Sequence, residues 1–138
     1  MQYFPLRIRP KELELFIDMA FLHQIGNDGT PVERWELTTG LLVVGRGEFA
    51  DAFVEDDSLS RSHFLITNEG SHFCLIDLQS RNGTWVNGER ILAHKLRPNE
   101  LIAAGESLFY FSEAPVTAFV LPAILALQGI PALPQPRV

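Results

Sequence analysis

FLITNEGSHFCLIDLQSRNGTWVNG, residues 64–88, is the stretch that decides the fold. Phe64–Thr67 and the run from His72 to Leu78 are rich in β-branched and aromatic residues, and the turn-forming Asn68-Glu69-Gly70-Ser71 lies between them. Thr84-Trp85-Val86 then runs into Asn87-Gly88, a strong hairpin signal because both residues tolerate positive φ. Outward from this core the rhythm persists. Gly40 precedes the β-rich run Leu41–Val44, and Leu108–Ser112 alternates with aromatics. Met19–Ile25 is partly alternating, Gly26-Asn27-Asp28-Gly29 reads as a hairpin turn, and Val32–Leu37 alternates again. Short strands every 8–12 residues indicate an all-β sandwich or barrel.

At 138 residues and 46% apolar, the chain is one domain of ordinary size that can bury a core without staples. Its net charge of −6 argues against non-specific nucleic-acid binding, which needs clustered Lys and Arg, yet allows a small local anion site. Cys74 is the sole cysteine, so no internal disulfide or cysteine zinc cluster can form. Met1–Pro10 lacks the continuous apolar run of a signal peptide, and the expected setting is cytoplasmic.

Two segments are less decided. Leu13, Phe16, Ile17 and Phe21 have helical spacing, whereas Leu13, Leu15, Ile17, Met19 and Phe21 have strand spacing; strand is favoured from Leu15 on. Ala114–Pro136 carries no charge and is long enough to span a bilayer, but five prolines interrupt it. It reads first as a tail packed on the sandwich, with a short helix near Ala123–Gln128. A linker comes second, and a membrane anchor last.

Chemistry concentrates between Gly45 and Gly88. Gly45-Arg46, Ser60-Arg61-Ser62-His63 and Asp77–Thr84 each lie where a strand meets a turn, and sandwich turns cluster at the two ends. Loops converging at one end would present guanidinium forks from Arg46 and Arg61, a hydroxyl from Ser60 and a further cation from Arg81. Asn82 adds an amide that suits the main chain of an extended peptide. Such a set fits a phosphate carried on a polypeptide.

These blocks, Gly-Arg, then Ser-x-x-His, then Asn-Gly-Thr-x-Val-Asn-Gly, resemble the signature of the forkhead-associated (FHA) domain family over roughly Phe16–Glu113. The resemblance implies a β-sandwich of about eleven strands, flanked by an N-terminal extension (1–15) and the uncharged Pro-rich tail (114–138). It implies a phosphothreonine-binding interaction module, not an enzyme, needing no cofactor or metal. Its partners would be a Ser/Thr kinase or the kinase's phosphorylated substrates. By the same resemblance Arg46 grips the phosphate from the loop after the third strand, Ser60 bonds a phosphate oxygen, and Arg61 contacts phosphate or peptide. Asn82 fixes the peptide main chain, while Gly45, His63 and Gly83 shape the loops and Thr84, Asn87 and Gly88 complete the structural motif. Family members often carry Thr or Ser where this chain has Arg81, which is expected to assist binding. The third position after the phosphothreonine is expected to be read near Ser80 and Arg81.

Plainer readings compete. Ser60 and His63 could suggest a nucleophile and base, but three residues apart on a strand they would face oppositely, and no orienting carboxylate or oxyanion motif adjoins them. His63 is therefore read as bonding loop backbone. Glu55-Asp56-Asp57 reads as a solvated turn, Thr38-Thr39 as ordinary sheet residues, and Trp35 and Trp85 as packing residues, Trp85 partly exposed. The alternative function is a phosphate-independent interaction scaffold on the same fold.

Overall fold

The computed structural model describes residues 19–37 and 40–114. Residues 1–18, the Thr38-Thr39 pair and all of the tail beyond Ala114 lie outside the described residues, as do the expectations placed on them. Among the described residues, eleven strands form two sheets packed face to face. β1 (Ala20–Ile25) and β2 (Pro31–Leu37) form the first hairpin, as the Gly-Asn-Asp-Gly turn predicts. They join β11 (Ser107–Ser112), β10 (Glu100–Ala104), β7 (Thr84–Val86) and β8 (Glu89–Ile91) in a six-stranded sheet ordered β2-β1-β11-β10-β7-β8. The second sheet runs β4-β3-β5-β6-β9, from β4 (Ala52–Phe53), β3 (Leu41–Gly45), β5 (Phe64–Asn68), β6 (Phe73–Asp77) and β9 (Ala93–Lys95). Among the described strands only β3 and β4 pair in parallel. Among the described residues no helix is long and apolar enough to cross a membrane.

Alternation explains the core. Leu22, Val44, Phe64, Ile66, Leu75, Ile102, Phe109 and Phe111 all point between the sheets and are essentially inaccessible. Phe64 meets Phe109 edge-on across the layers, with ring centroids 5.5 Å apart, and Phe73 meets Phe111 at 5.6 Å. Edge-to-face pairs of this kind add about 0.5–1.5 kcal/mol each beyond simple burial. Trp35 packs against this core, whereas Trp85 is 38% exposed. Asn87 and Gly88 sit at φ 54° and 82° and close the tight β7–β8 hairpin. Asn87 also reaches Glu100 through its side-chain amide.

The register places function at one end. Val44 pairs with Phe64 and Phe64 with Asp77, while Thr84 pairs with Ala104 and Ala104 with Ser107. The loops after β3, before β5 and between β6 and β7 therefore emerge together, beside the β10–β11 turn. The start of β1 and the end of β11 lie at the opposite end, where Phe21 faces Ser112.

Candidate functional site

Gly45 permits the closest approach in the site. A Cβ on it would lie 2.1 Å from the carbonyl oxygen of Arg61 and 2.8 Å from that of Ser60, so only glycine lets these loops touch. That contact is laced by backbone bonds: Arg46 N–H donates to the Ser60 carbonyl at 3.1 Å, and Gly47 N–H to the Arg61 carbonyl at 3.0 Å. Arg46 also donates its Nε–H to the Leu59 carbonyl at 2.7 Å. The guanidinium is thereby oriented, with both terminal nitrogens left as donors.

The second pair of loops is joined just as closely. The Ser60 hydroxyl accepts the Arg81 backbone N–H at 3.0 Å and keeps its own proton to donate. Asn82 donates a side-chain N–H to the Ser58 carbonyl at 2.8 Å, leaving its oxygen and second N–H for other partners. Arg46, Ser60, Arg61, Arg81 and Asn82 thus share one loop cluster; the side chains of Arg61, Arg81 and Asn82 are exposed.

His63 is the hub beneath them. It is fully buried; Nδ1 accepts the Ser60 backbone N–H at 3.0 Å, which places the ring proton on Nε2, donated to the Gly83 carbonyl at 2.8 Å. The expectation of a ring bonded to loop backbone holds, but its strand geometry does not. Ser60–His63 is a turn before β5, and the ring folds back onto the Ser60 backbone rather than pointing away. Since both ring nitrogens are bonded to main chain, His63 is not placed to serve Ser60 Oγ as a base. Gly83 has φ 87°, which favours glycine, and a Cβ there would only push aside the exposed Arg90 guanidinium 2.6 Å away.

Two aspartates brace the loops, and sequence reasoning missed both. Asp77 accepts the Ser80 hydroxyl at 2.5 Å, the Ser80 N–H at 3.1 Å and the Thr84 hydroxyl at 2.7 Å. Ser80 in turn accepts the Gly83 N–H at 3.0 Å. Ser80 is therefore a buried brace with its hydroxyl spent on Asp77 and Gly83, not the exposed side chain the expectation near Ser80 and Arg81 assumed. Asp56 corrects the solvated-turn reading of Glu55-Asp56-Asp57. It accepts the Ser58 N–H and hydroxyl at 2.8 and 2.5 Å, the Ser107 hydroxyl at 2.6 Å and the Glu106 N–H at 3.2 Å, bolting the Ser60 loop to the β10–β11 turn. The Asp-x-Ser and Asp-x-x-Ser spacings are Asx-turn signals that could have flagged both carboxylates. Among the described residues no cluster of three His, Cys, Asp or Glu side chains could hold a metal.

Partial burial would raise both carboxyls, but the bonds from Ser107 and Ser58 at Asp56, and from Ser80 and Thr84 at Asp77, outweigh it and hold each below its usual value. A depressed carboxyl contributes stability that is complete above its unfolded value of 3.8 and disappears as pH falls through the folded value. His23 acts earlier. Burial, then Arg34, lowers its folded affinity for protons, so the unfolded chain takes up the proton first and stability declines as pH drops below 6.5. Urea unfolding across pH should show two declines, one starting near 6.5 and removed by His23→Gln, the other below about 4 and reduced by Asp56→Asn with Asp77→Asn. Asp56→Ala at neutral pH should cost about 2 kcal/mol by removing the charged acceptor from two hydroxyls and two backbone groups, some of which water replaces. Unchanged urea midpoints would show that Asp56 is no brace.

A family model for the FHA domain matches residues 42–105, which contain Arg46, Ser60, Arg61, Arg81 and Asn82. The FhaA FHA domain, solved in complex with the intracellular domain of Rv3910, is 30% identical; the alignment covers 67% of this chain and 98% of that one, with a TM-score of 0.61. The chain belongs to the FHA domain family. A structure from work on phosphothreonine-dependent FHA domain interactions superposes on 71% of this chain and 99% of its own at 28% identity, with a TM-score of 0.64. Full-length FhaA of Mycobacterium tuberculosis is 34% identical over 73 residues, which is 53% of this chain but only 14% of FhaA. The present FHA chain thus spans a small part of that curated relative.

Proposed function

We propose that this FHA domain captures phosphothreonine-containing peptides in Ser/Thr-kinase-linked signalling. One observation carries the reading: Arg46, Ser60, Arg61, Arg81 and Asn82, drawn from three separate loops, are brought to one end of the sandwich by direct bonds between those loops. In this reading Arg46 grips the phosphate, the Ser60 hydroxyl donates to a phosphate oxygen and Arg61 and Arg81 add charge. Asn82 holds the peptide main chain through its free amide groups. Work on a related FHA domain concerns phosphothreonine-dependent interactions, which supports the same ligand here. The module recognises and does not turn over its ligand, in keeping with a His63 committed to structure. A cytoplasmic setting, where kinases supply the ligand, suits it.

Net charge-assisted bonds contribute about 1.5–3 kcal/mol each, so phosphate contacts alone are largely offset by association costs. Flanking peptide contacts must therefore supply part of the affinity. The test is a fluorescence titration with degenerate peptide libraries carrying phosphothreonine, phosphoserine or unmodified threonine. Saturable binding of the phosphothreonine library, with phosphoserine weaker by several-fold to about a hundredfold for its missing methyl, is expected. Equal binding of the unmodified library would favour a phosphate-independent scaffold instead. Affinity should also decline below about pH 6, where the phosphate takes up its second proton. Binding that strengthens on acidification would contradict phosphate capture.

A further inference from the structure

The six-stranded sheet has a second face, away from the core. Register places Phe21, His23 and Ile25 of β1 on it, beside Ser112, Tyr110 and Leu108 of β11, with Leu101 and Ala103 of β10 beyond. None of these belongs to the cluster between the sheets. A sheet face turned to water should show large side chains half exposed, yet Phe21, Ile25 and Leu101 are each 5% exposed, Tyr110 is 4% and His23 is 0%. Exposure rises at Arg34 and Glu36 of β2 and at Trp85 and Arg90, and part-way at Leu108 and Ala103. No described strand lies over the face, since the second sheet packs on the other side.

The path of the chain indicates what covers it. His23 Nε2 and Ser112 Oγ are 3.1 Å apart, and the Ser112 hydroxyl gives its proton to the Ala114 carbonyl at 2.5 Å. Ser112 must then accept from His23 Nε2–H. Because Ser112 projects onto this face, the bond brings the Ala114 carbonyl to the same side of the sheet. The sequence from Pro115 to Pro136 is uncharged and includes Val116, Phe119, Val120, Leu121, Ile124 and Leu125. The other candidate, residues 1–18, carries Arg7, Arg9, Lys11, Glu12, Glu14 and Asp18, which suit an apolar face poorly.

We propose that the chain's own C-terminal segment, residues 115–136, lies over the outer face of the β1-β11-β10 sheet as a third layer. The folded unit then extends past β11, and the layer occupies the outer face of the sheet rather than the loop cluster at its end. Its apolar residues serve the fold, not a bilayer.

The test uses the full chain with Leu108→p-benzoylphenylalanine, a half-buried position on the face. Photolysis and peptide mapping should give crosslinks within a single chain to residues 115–136. Crosslinks to residues 1–18 instead, or to a second copy, would overturn the proposal. A chain ending at Ala114 supplies the independent check. Its Tm should fall by roughly 10 °C or more, with faster amide exchange in β1 and β11, because several large apolar side chains become wet. Unchanged Tm and exchange in that truncation would equally overturn it. If the truncated chain does not fold, the crosslinking result decides.

Discussion

Arg46→Ala should weaken phosphothreonine-peptide binding by about a hundredfold or more while leaving the fold intact. The guanidinium is held by one bond from Nε–H to the Leu59 carbonyl, and its terminal nitrogens make no described bond within the protein. Those nitrogens can reach a phosphate in fork geometry, and two charge-assisted bonds at about 1.5–3 kcal/mol each correspond to roughly 10²–10⁴ in affinity. Losing the Leu59 bond costs about 1 kcal/mol, well short of unfolding the domain. Arg46→Lys should fall between, keeping the charge but losing both the fork and the orienting Nε. Calorimetric titration with one phosphothreonine peptide, beside thermal unfolding of each variant, separates the two effects. Affinity within a few-fold of wild type in Arg46→Ala would remove this residue from the site.

Gly45→Ala should harm both stability and binding, which distinguishes it from the neighbouring substitution. The added methyl would lie 2.1 Å from the Arg61 carbonyl oxygen and 2.7 Å from the carbon bearing it, both rigid main-chain atoms. Side-chain rotation offers no escape; the β3 end and the Ser60 loop must separate. That separation loosens the Arg46-to-Ser60 and Gly47-to-Arg61 backbone bonds together. Overpacking of this kind costs typically about 1–3 kcal/mol, and two strained backbone bonds add about 1 kcal/mol each. A destabilisation of about 3–5 kcal/mol is expected from urea unfolding, accompanied by a loss of phosphopeptide affinity because Arg46 and Ser60 no longer face one ligand. Wild-type stability in Gly45→Ala would mean that the loops tolerate the gap.

Strands whose sequence alternates or ends in a Gly-containing turn were readable: β1, β2, β3, β5, β6, β7 and β11 all fall where the pattern places them. β4, β8 and β9 were not, because two or three residues cannot display a period. β10 is buried along nearly its whole length, and a continuous apolar run does not announce a strand. The candidate ligand residues were legible because glycine, arginine, serine and asparagine at fixed spacing leave a trace in the chain. Asp56, Asp77 and Ser80 left only short Asx-type spacings that many solvated turns share.

The sequence by itself determined the class of fold, through periodicity and turn chemistry that are local properties, and its signature blocks pointed to the family and to the residues proposed to meet a phosphate. Tertiary structure alone decided which carboxylates are braces and which are solvated. It also turned the His63 ring onto Ser60 and Gly83, and it buried the outer face of the six-stranded sheet. Several of these depend on partners distant in the chain, as Asp56 is from Ser107, 51 residues on, and His63 from Gly83, 20 residues on. A hydrogen bond or a buried face exists only where the fold brings such distant groups within reach, and no local stretch of sequence carries that information.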